Sequence, residues 1–252
     1  MRIGVVKLGG SAISDKSRPF SIRWGMLEGL AKALKRALLR GCVNGIVVVH
    51  GGGSYGHYVV SEHGGLSTPE AFTQTVFFMR ELNQRIVEVL TLAGLNAFGL
   101  DTHALASCSE QGIKVRIEVV KRGLEMGLTP VVYGDAVICE GRDRWFTIAS
   151  GDDLAWEIAS LLRASRLVFV TSVPGVFVGG RVARSISLSR DIDRMDSISG
   201  SALDVTGGMR AKLVKGRGKV GLIGAVYVIG SEPSILCEAL CTEPSVGTRV
   251  VE

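Results

Sequence analysis

Apolar residues in this chain come as short, nearly continuous runs rather than as alternating ones. Ile3–Leu8 and residues 45–49 are the clearest cases. A strand that is apolar on both faces has to be covered on both sides, which is the pattern of a parallel sheet enclosed by helices. Between these runs the period changes. Trp24–Leu39 carries Leu27, Leu30, Ala31, Leu34, Ala37 and Leu38 at helical spacing, and a second long helix is predicted from Pro69 to about Leu92. Further strands are predicted at 97–100, 129–132, 167–171 and 225–229, with a last one near Thr248–Val251. Helices are predicted at 119–126 and 152–162, from Met209, and after Pro233. Residues 136–139 and 145–148, separated by 140–144, read as a hairpin. This alternation predicts an α/β fold, a three-layer sandwich with a largely parallel central sheet, and one continuous unit over 1–252.

Composition removes other classes. Hydrophobic residues are 46% and charged residues 21%, an ordinary globular balance. The longest uncharged stretch, 41–61, is interrupted by Asn44, His50, His57 and several glycines, so no membrane span is expected. Lys7 interrupts the first apolar run, which excludes the core of a signal peptide. The net charge of +5 comes from scattered basic residues with no long run, which argues against nucleic acid and leaves a small anionic substrate. Five cysteines with no C-x-x-C pair read as reduced thiols in a cytoplasmic protein.

Glycine is the outlier, at 33 of 252 residues, about twice the usual share. The glycines gather where predicted strands end or helices begin. They follow the first strand in Lys7-Leu8-Gly9-Gly10-Ser11 and the second in His50-Gly51-Gly52-Gly53-Ser54-Tyr55-Gly56-His57. They recur in Ser150-Gly151-Asp152-Asp153 and Asp204-Val205-Thr206-Gly207-Gly208-Met209. One such loop is most often a structural turn. Four of them at the ligand-binding edge of an α/β sheet suggest bare backbone amides around phosphate. Neither the P-loop pattern nor a dinucleotide fingerprint that opens a helix at once is present, and Ser54 with His57 has no support as part of a hydrolase triad.

These motifs, with Tyr133-Gly134-Asp135 between them and Lys212 three residues after Met209, occur in the order seen in the amino-acid kinase superfamily. The resemblance covers nearly the whole chain and implies the carbamate kinase-like fold. Within the superfamily, the second histidine of the long glycine loop and Lys16, nine residues after Lys7, most resemble the archaeal isopentenyl phosphate kinases. The resemblance implies transfer of a phosphoryl group from ATP, with Mg²⁺ as its companion, to isopentenyl phosphate, as a step in isoprenoid biosynthesis. It implies an acceptor lobe over roughly 1–165, a nucleotide lobe over roughly 166–252, and a homodimer. Lys7, Lys16, His57 and Asp152 are then the catalytic residues. ATP falls to Lys7, Leu8, Gly9, Gly10, Ser11, Gly53, Asp152, Gly175, Gly207 and Lys212, and the acceptor to Gly52, Gly53, His57 and Gly151. No cluster has metal-ligand spacing, so the phosphates would hold the Mg²⁺.

Several residues carry a second reading. Lysines are mostly solvated surface charges, although Lys7 ends a buried run. Asp152 at a helix start reads equally as a cap, and Asp135 shares that ambiguity. His57 is expected to donate to the acceptor phosphate, because a phosphate dianion needs no general base. His50, His63 and His103 are assigned no role. Val76-Phe77-Phe78-Met79, four apolar residues in a row, is expected to supply the wall of a hydrocarbon pocket with Phe72 and Ile86. The chain departs from the family at Ser172 and Pro174, where two aspartates are usual. A fosfomycin-type phosphonate kinase is the alternative enzyme, and a non-catalytic nucleotide- or oxyanion-binding homologue is the alternative of another class.

Overall fold

The structure, a computed structural model, describes residues 1–15, 17–141, 145–195 and 208–252, with the backbone alone at His57 and Val60. The chain begins with β1 (Ile3–Leu8), a one-turn α1 (Gly10–Ile13), α2 (Trp24–Leu39), β2 (Gly45–His50), α3 (Gly53–Glu62) and α4 (Pro69–Leu92). It continues through β3 (Ala97–Gly99), a short α5 (Thr102–Leu105), β4 (Ala106–Ser109), β5 (Gly112–Val115), α6 (Glu118–Glu125) and β6 (Thr129–Tyr133). Then come β7 (Asp135–Ile138), β8 (Phe146–Ala149), α7 (Gly151–Leu161) and β9 (Arg166–Val170). The last part holds β10 (Phe177–Val178), β11 (Arg181–Val182), β12 (Ser185–Ser187), α8 (Gly208–Val214), β13 (Val226–Ile229), α9 (Pro233–Cys241) and β14 (Thr248–Val251).

Among the described residues eight strands form one sheet, in the order β12-β14-β13-β9-β1-β2-β6-β3. Every neighbouring pair is parallel except β13 with β14. Because β1, β2 and β9 lie in the interior, their residues are apolar on both faces, as the nearly continuous runs require. One face is covered by α2, α4 and α9, whose Leu30, Leu34, Leu82, Ile86 and Leu236 meet Val6, Val48 and Val168. The other carries α6 and α7, with Leu124, Leu154, Trp156 and Ile158 against Val5, Val47 and Leu167. Burial of each such side chain stabilises by about 1.5–3 kcal/mol, so the two cores fix the three layers. The predicted strands and long helices agree with this architecture to within a residue or two at their ends. Thr68 caps α4 by accepting from the amide of Ala71 at 3.1 Å, and Pro69 fills its first position.

Two expectations are corrected and one hairpin is added. The glycine loop after β2 does open a helix at once, since Gly53 begins α3. The β4–β5 hairpin has too few apolar residues to be visible as strands, with a half-exposed pattern in place of an apolar run. The cysteines are not all reduced, for Cys42 and Cys241 are joined in a disulfide 199 residues apart in sequence. Cys42 follows α2 and Cys241 ends α9, and only the side-by-side packing of those helices brings their Cα atoms to 4.6 Å. Cys237 is a buried free cysteine. Among the described residues no helix is long and apolar enough to cross a membrane.

Candidate active site

The glycine loops converge at the carboxyl ends of the four central strands. The amide of Gly9 donates to Val170 O of β9, Gly51 to Leu8 O of β1, and Gly134 to His50 O of β2. Each loop is thereby hydrogen-bonded to the end of its neighbour. The approach between loops is close. A Cβ on Gly10 would lie 2.6 Å from the Gly53 amide nitrogen, and one on Gly151 would lie 2.9 Å from His50 O. Gly53 is also left-handed, at φ +51°, which favours glycine. Part of the glycine excess is therefore a packing requirement between loops. Ser14 stitches the same junction, donating to Gly10 O at 2.8 Å and accepting from the Ser54 amide at 2.9 Å. The amides of Gly10, Ser11, Gly52 and Gly53 have no acceptor among the described residues. Such amides suit an anion.

Lys7, the penultimate residue of β1, lies inside this junction. Its Nζ lies 2.9 Å from Oδ1 of Asp152, and both side chains are 5% exposed. Asp152 stands at the second residue of α7 and is not the cap. Ser150 caps the helix, forming a capping box with Asp153. Oδ1 of Asp152 makes no hydrogen bond, so its contact with Lys7 is an ion pair by distance without hydrogen-bond alignment. Burial pushes the Asp152 carboxyl up, but the cations of Lys7, Lys212 and Lys215 outweigh it and hold the group below its ordinary value. One carboxylate faces three lysines, which leaves room for negative charge from a ligand.

The remaining predicted residues divide by location. Leu8 is buried at the end of β1. Ser11 Oγ accepts from Ser172 Oγ at 3.3 Å, so the serine that replaces a usual aspartate sits beside the first glycine loop. Gly175 is held by packing, where a Cβ would meet Thr248 Oγ1 and Val182 Cγ1 at 2.7 Å. Lys212 lies in α8 and its carbonyl accepts from Trp156 Nε1 at 2.9 Å. Gly52 caps α3, and His57 lies in its second turn, with the side chain outside the description. Lys16 and Gly207 lie outside the described residues.

The hydrocarbon-wall expectation changes in detail. Four consecutive helical residues spread around most of the helix and cannot share one face. Met79 is buried, and its sulfur lies 3.3 Å from where a Cβ on Gly52 would stand. Phe78 joins an aromatic group with Phe20, and Phe20 in turn meets Tyr55 and Tyr58. Phe77 is 64% exposed, with its ring edge-on to Phe78 at 5.2 Å between centroids. Phe72 packs on Phe146 of β8, with ring centroids 4.8 Å apart, and Ile86 is core.

Two histidines have acquired partners that sequence spacing concealed. His50 is fully buried, stacked on Tyr133 and pushed down to about 4 by desolvation, so it is neutral. Its Nδ1 lies 3.1 Å from Gly51 O and its Nε2 3.2 Å from Asn83 Oδ1. A neutral imidazole donates only once, so one of these contacts requires the Asn83 amide to turn and donate. His103 Nδ1 lies 2.9 Å from Asp135 Oδ2 and its value is raised by that bond, against the effect of burial. A raised folded value means that this pair stabilises fully below the ordinary histidine value of 6.5 and ceases to do so as pH rises through the folded value. The stability gap between the wild type and His103→Gln in urea melts is therefore expected to be widest in mild acid and to close in alkali. A gap that widens with pH would contradict the assignment.

The amino acid kinase family model matches residues 2–216 of this chain. An isopentenyl phosphate kinase of Methanocaldococcus jannaschii is 31% identical over 222 residues, covering 83% of this chain and 84% of its own length. An isopentenyl phosphate kinase of Haloferax volcanii is 33% identical over 242 residues, with 92% and 93% covered. An X-ray structure of isopentenyl phosphate kinase superimposes with a TM-score of 0.81 at 25% identity, over 98% of this chain and 100% of the other. With similarity of this extent, the chain belongs to the amino acid kinase family.

Proposed function

We propose that the protein is an isopentenyl phosphate kinase, transferring the γ-phosphoryl group of ATP to isopentenyl phosphate to give isopentenyl diphosphate. The observation that carries this is the buried Lys7–Asp152 pair at the meeting of glycine loops whose amides are free, with Lys212 and Lys215 adding positive charge. Relatives with that name across most of the chain support the acceptor.

Phosphoryl transfer needs positioning and charge neutralisation more than covalent chemistry. ATP supplies the phosphoryl group and brings Mg²⁺. The phosphates would hold the metal, and the buried carboxylate of Asp152, whose Oδ1 already pairs with Lys7, would add negative charge beside it. Lys7 is held in place by Asp152 and presents its charge to the transferring group. The amides of Gly10, Ser11, Gly52 and Gly53 line the path of the phosphates. Lys16 completes the lysine pair, and Gly207 and Lys212 face the nucleotide. Gly151 and His57 meet the acceptor phosphate, with His57 donating to it. In this reading residues of roughly 1–165 bind the acceptor and those of roughly 166–252 the nucleotide. In this reading the enzyme is a homodimer, and the exposed Phe77 on α4 supports a pairing surface.

A coupled assay offering isopentenyl phosphate, fosfomycin and carbamate separately tests the reading. Turnover confined to fosfomycin would make it a phosphonate kinase, and nucleotide binding with no turnover a non-catalytic homologue. His57→Ala is expected to raise the barrier with isopentenyl phosphate by about 1.5–3 kcal/mol, the worth of a hydrogen bond to a charged group, while ATP affinity is kept. Lost ATP affinity with intact acceptor kinetics would put His57 on the wrong side.

A further inference from the structure

Helix α7 is fastened along one side to the segment that begins with α8. Asp153, Trp156 and Glu157 lie three and four residues apart on α7, and so share a face. Each meets one residue of the segment 212–219. Lys215 Nζ lies 2.8 Å from Asp153 Oδ2 and 3.1 Å from Ser150 Oγ. Trp156 Nε1 donates to Lys212 O, and Lys219 pairs with Glu157. Between them, a side chain on Gly216 would run into the Trp156 ring. The three contacts differ in position. Lys219 acts a full turn from Asp152, whereas Lys215 holds both members of the capping box that flanks it, Ser150 and Asp153.

We propose that Lys215 is a positioning residue for the nucleotide: it ties the α8 segment to the first turn of α7, so that Lys212 and Asp152 are held at a fixed separation across the donor phosphates. This rests on the reading of Lys212 as an ATP contact. The Lys215 side chain is 37% exposed, so the ion pair alone adds little to stability. Its effect lies in where it acts. Asp152 lies between the two capping-box residues that Lys215 engages, so releasing them shifts the turn that places Asp152 against Lys7. Asp153 also accepts from the Ser150 hydroxyl and amide, and Lys215 therefore completes a network rather than a single contact.

The test compares Lys215→Met, Lys215→Arg and Lys219→Met by calorimetric titration with Mg·ATP and by steady-state kinetics. Lys215→Met is expected to raise the ATP Kd and KM about tenfold and to leave the acceptor KM unchanged, as loss of one charge-assisted contact implies. Lys215→Arg should recover most of that loss, and Lys219→Met should change ATP affinity by less than about twofold. Equal effects of Lys215→Met and Lys219→Met, or a loss confined to melting temperature, would overturn the proposal. If Lys215→Met does not fold, Asp153→Asn cuts the same contact from α7, and an unchanged ATP Kd in that variant overturns it as well. A wild type that binds no ATP defeats both this inference and the kinase reading. A wild type that binds ATP but does not use isopentenyl phosphate, with the Lys215→Met effect on Kd intact, removes the acceptor assignment and supports this inference.

Discussion

Lys7→Met is expected to lower kcat by about 10²–10³-fold, the usual loss when one preorganised charge-stabilising donor is removed from a reacting centre. It should also destabilise the fold, for a separate reason. Asp152 is buried beside Lys7, and removing one partner of a buried pair leaves the other uncompensated at a cost of about 3–5 kcal/mol. The two effects separate in a double variant. Lys7→Met with Asp152→Leu replaces both charges by apolar groups of similar size and should regain most of the lost stability with no return of activity. Urea melts and the coupled assay on the same samples decide the matter. Recovered activity in the double variant would show that the pair is structural only. The pH sign follows from the direction of the Asp152 shift. Its folded value is depressed, so the pair's contribution is present above the ordinary carboxylate value of 3.8 and is lost as pH falls through the folded value.

Replacing Cys42 and Cys241 together with serine is expected to lower stability by about 2–5 kcal/mol, because the bridge closes a loop long enough to restrict the unfolded chain severely. Catalysis should survive under mild conditions. The bridge lies at the end of α9 and before β2, at the amino end of the central strands, while the glycine loops lie at their carboxyl ends. A thiol titration gives a direct check. The reduced, unfolded protein should show all five thiols, and the unreduced protein should lack those of Cys42 and Cys241. Five thiols without reduction would remove the bridge, and equal melts for the wild type and the double variant would remove its stabilising role.

Local chemistry was enough to make much of this protein legible. Nearly continuous apolar runs at Ile3–Leu8 and in β2 and β9 can be satisfied only in a sheet covered on both faces, and the 3.6-residue period of α2 and α4 names the faces they bury. The glycine clusters and Lys7 marked the ligand edge because their meaning depends on neighbours in sequence. The capping box of Ser150 and Asp153 was also readable, since a serine three residues before an acidic residue is a local pattern, although it was not singled out. What tertiary structure alone decided is what links distant segments. Asp152 could have been a cap, and became a buried partner of Lys7 because β1 and α7 are in contact across 145 residues of chain. His103 gained Asp135, Lys215 gained Asp153, and Cys42 gained Cys241 in the same way. Phe77 was expected in the wall of a hydrocarbon pocket and is 64% exposed, because hydrophobicity records what a side chain prefers, whereas the rotation of a packed helix decides which of its neighbours reach the interior.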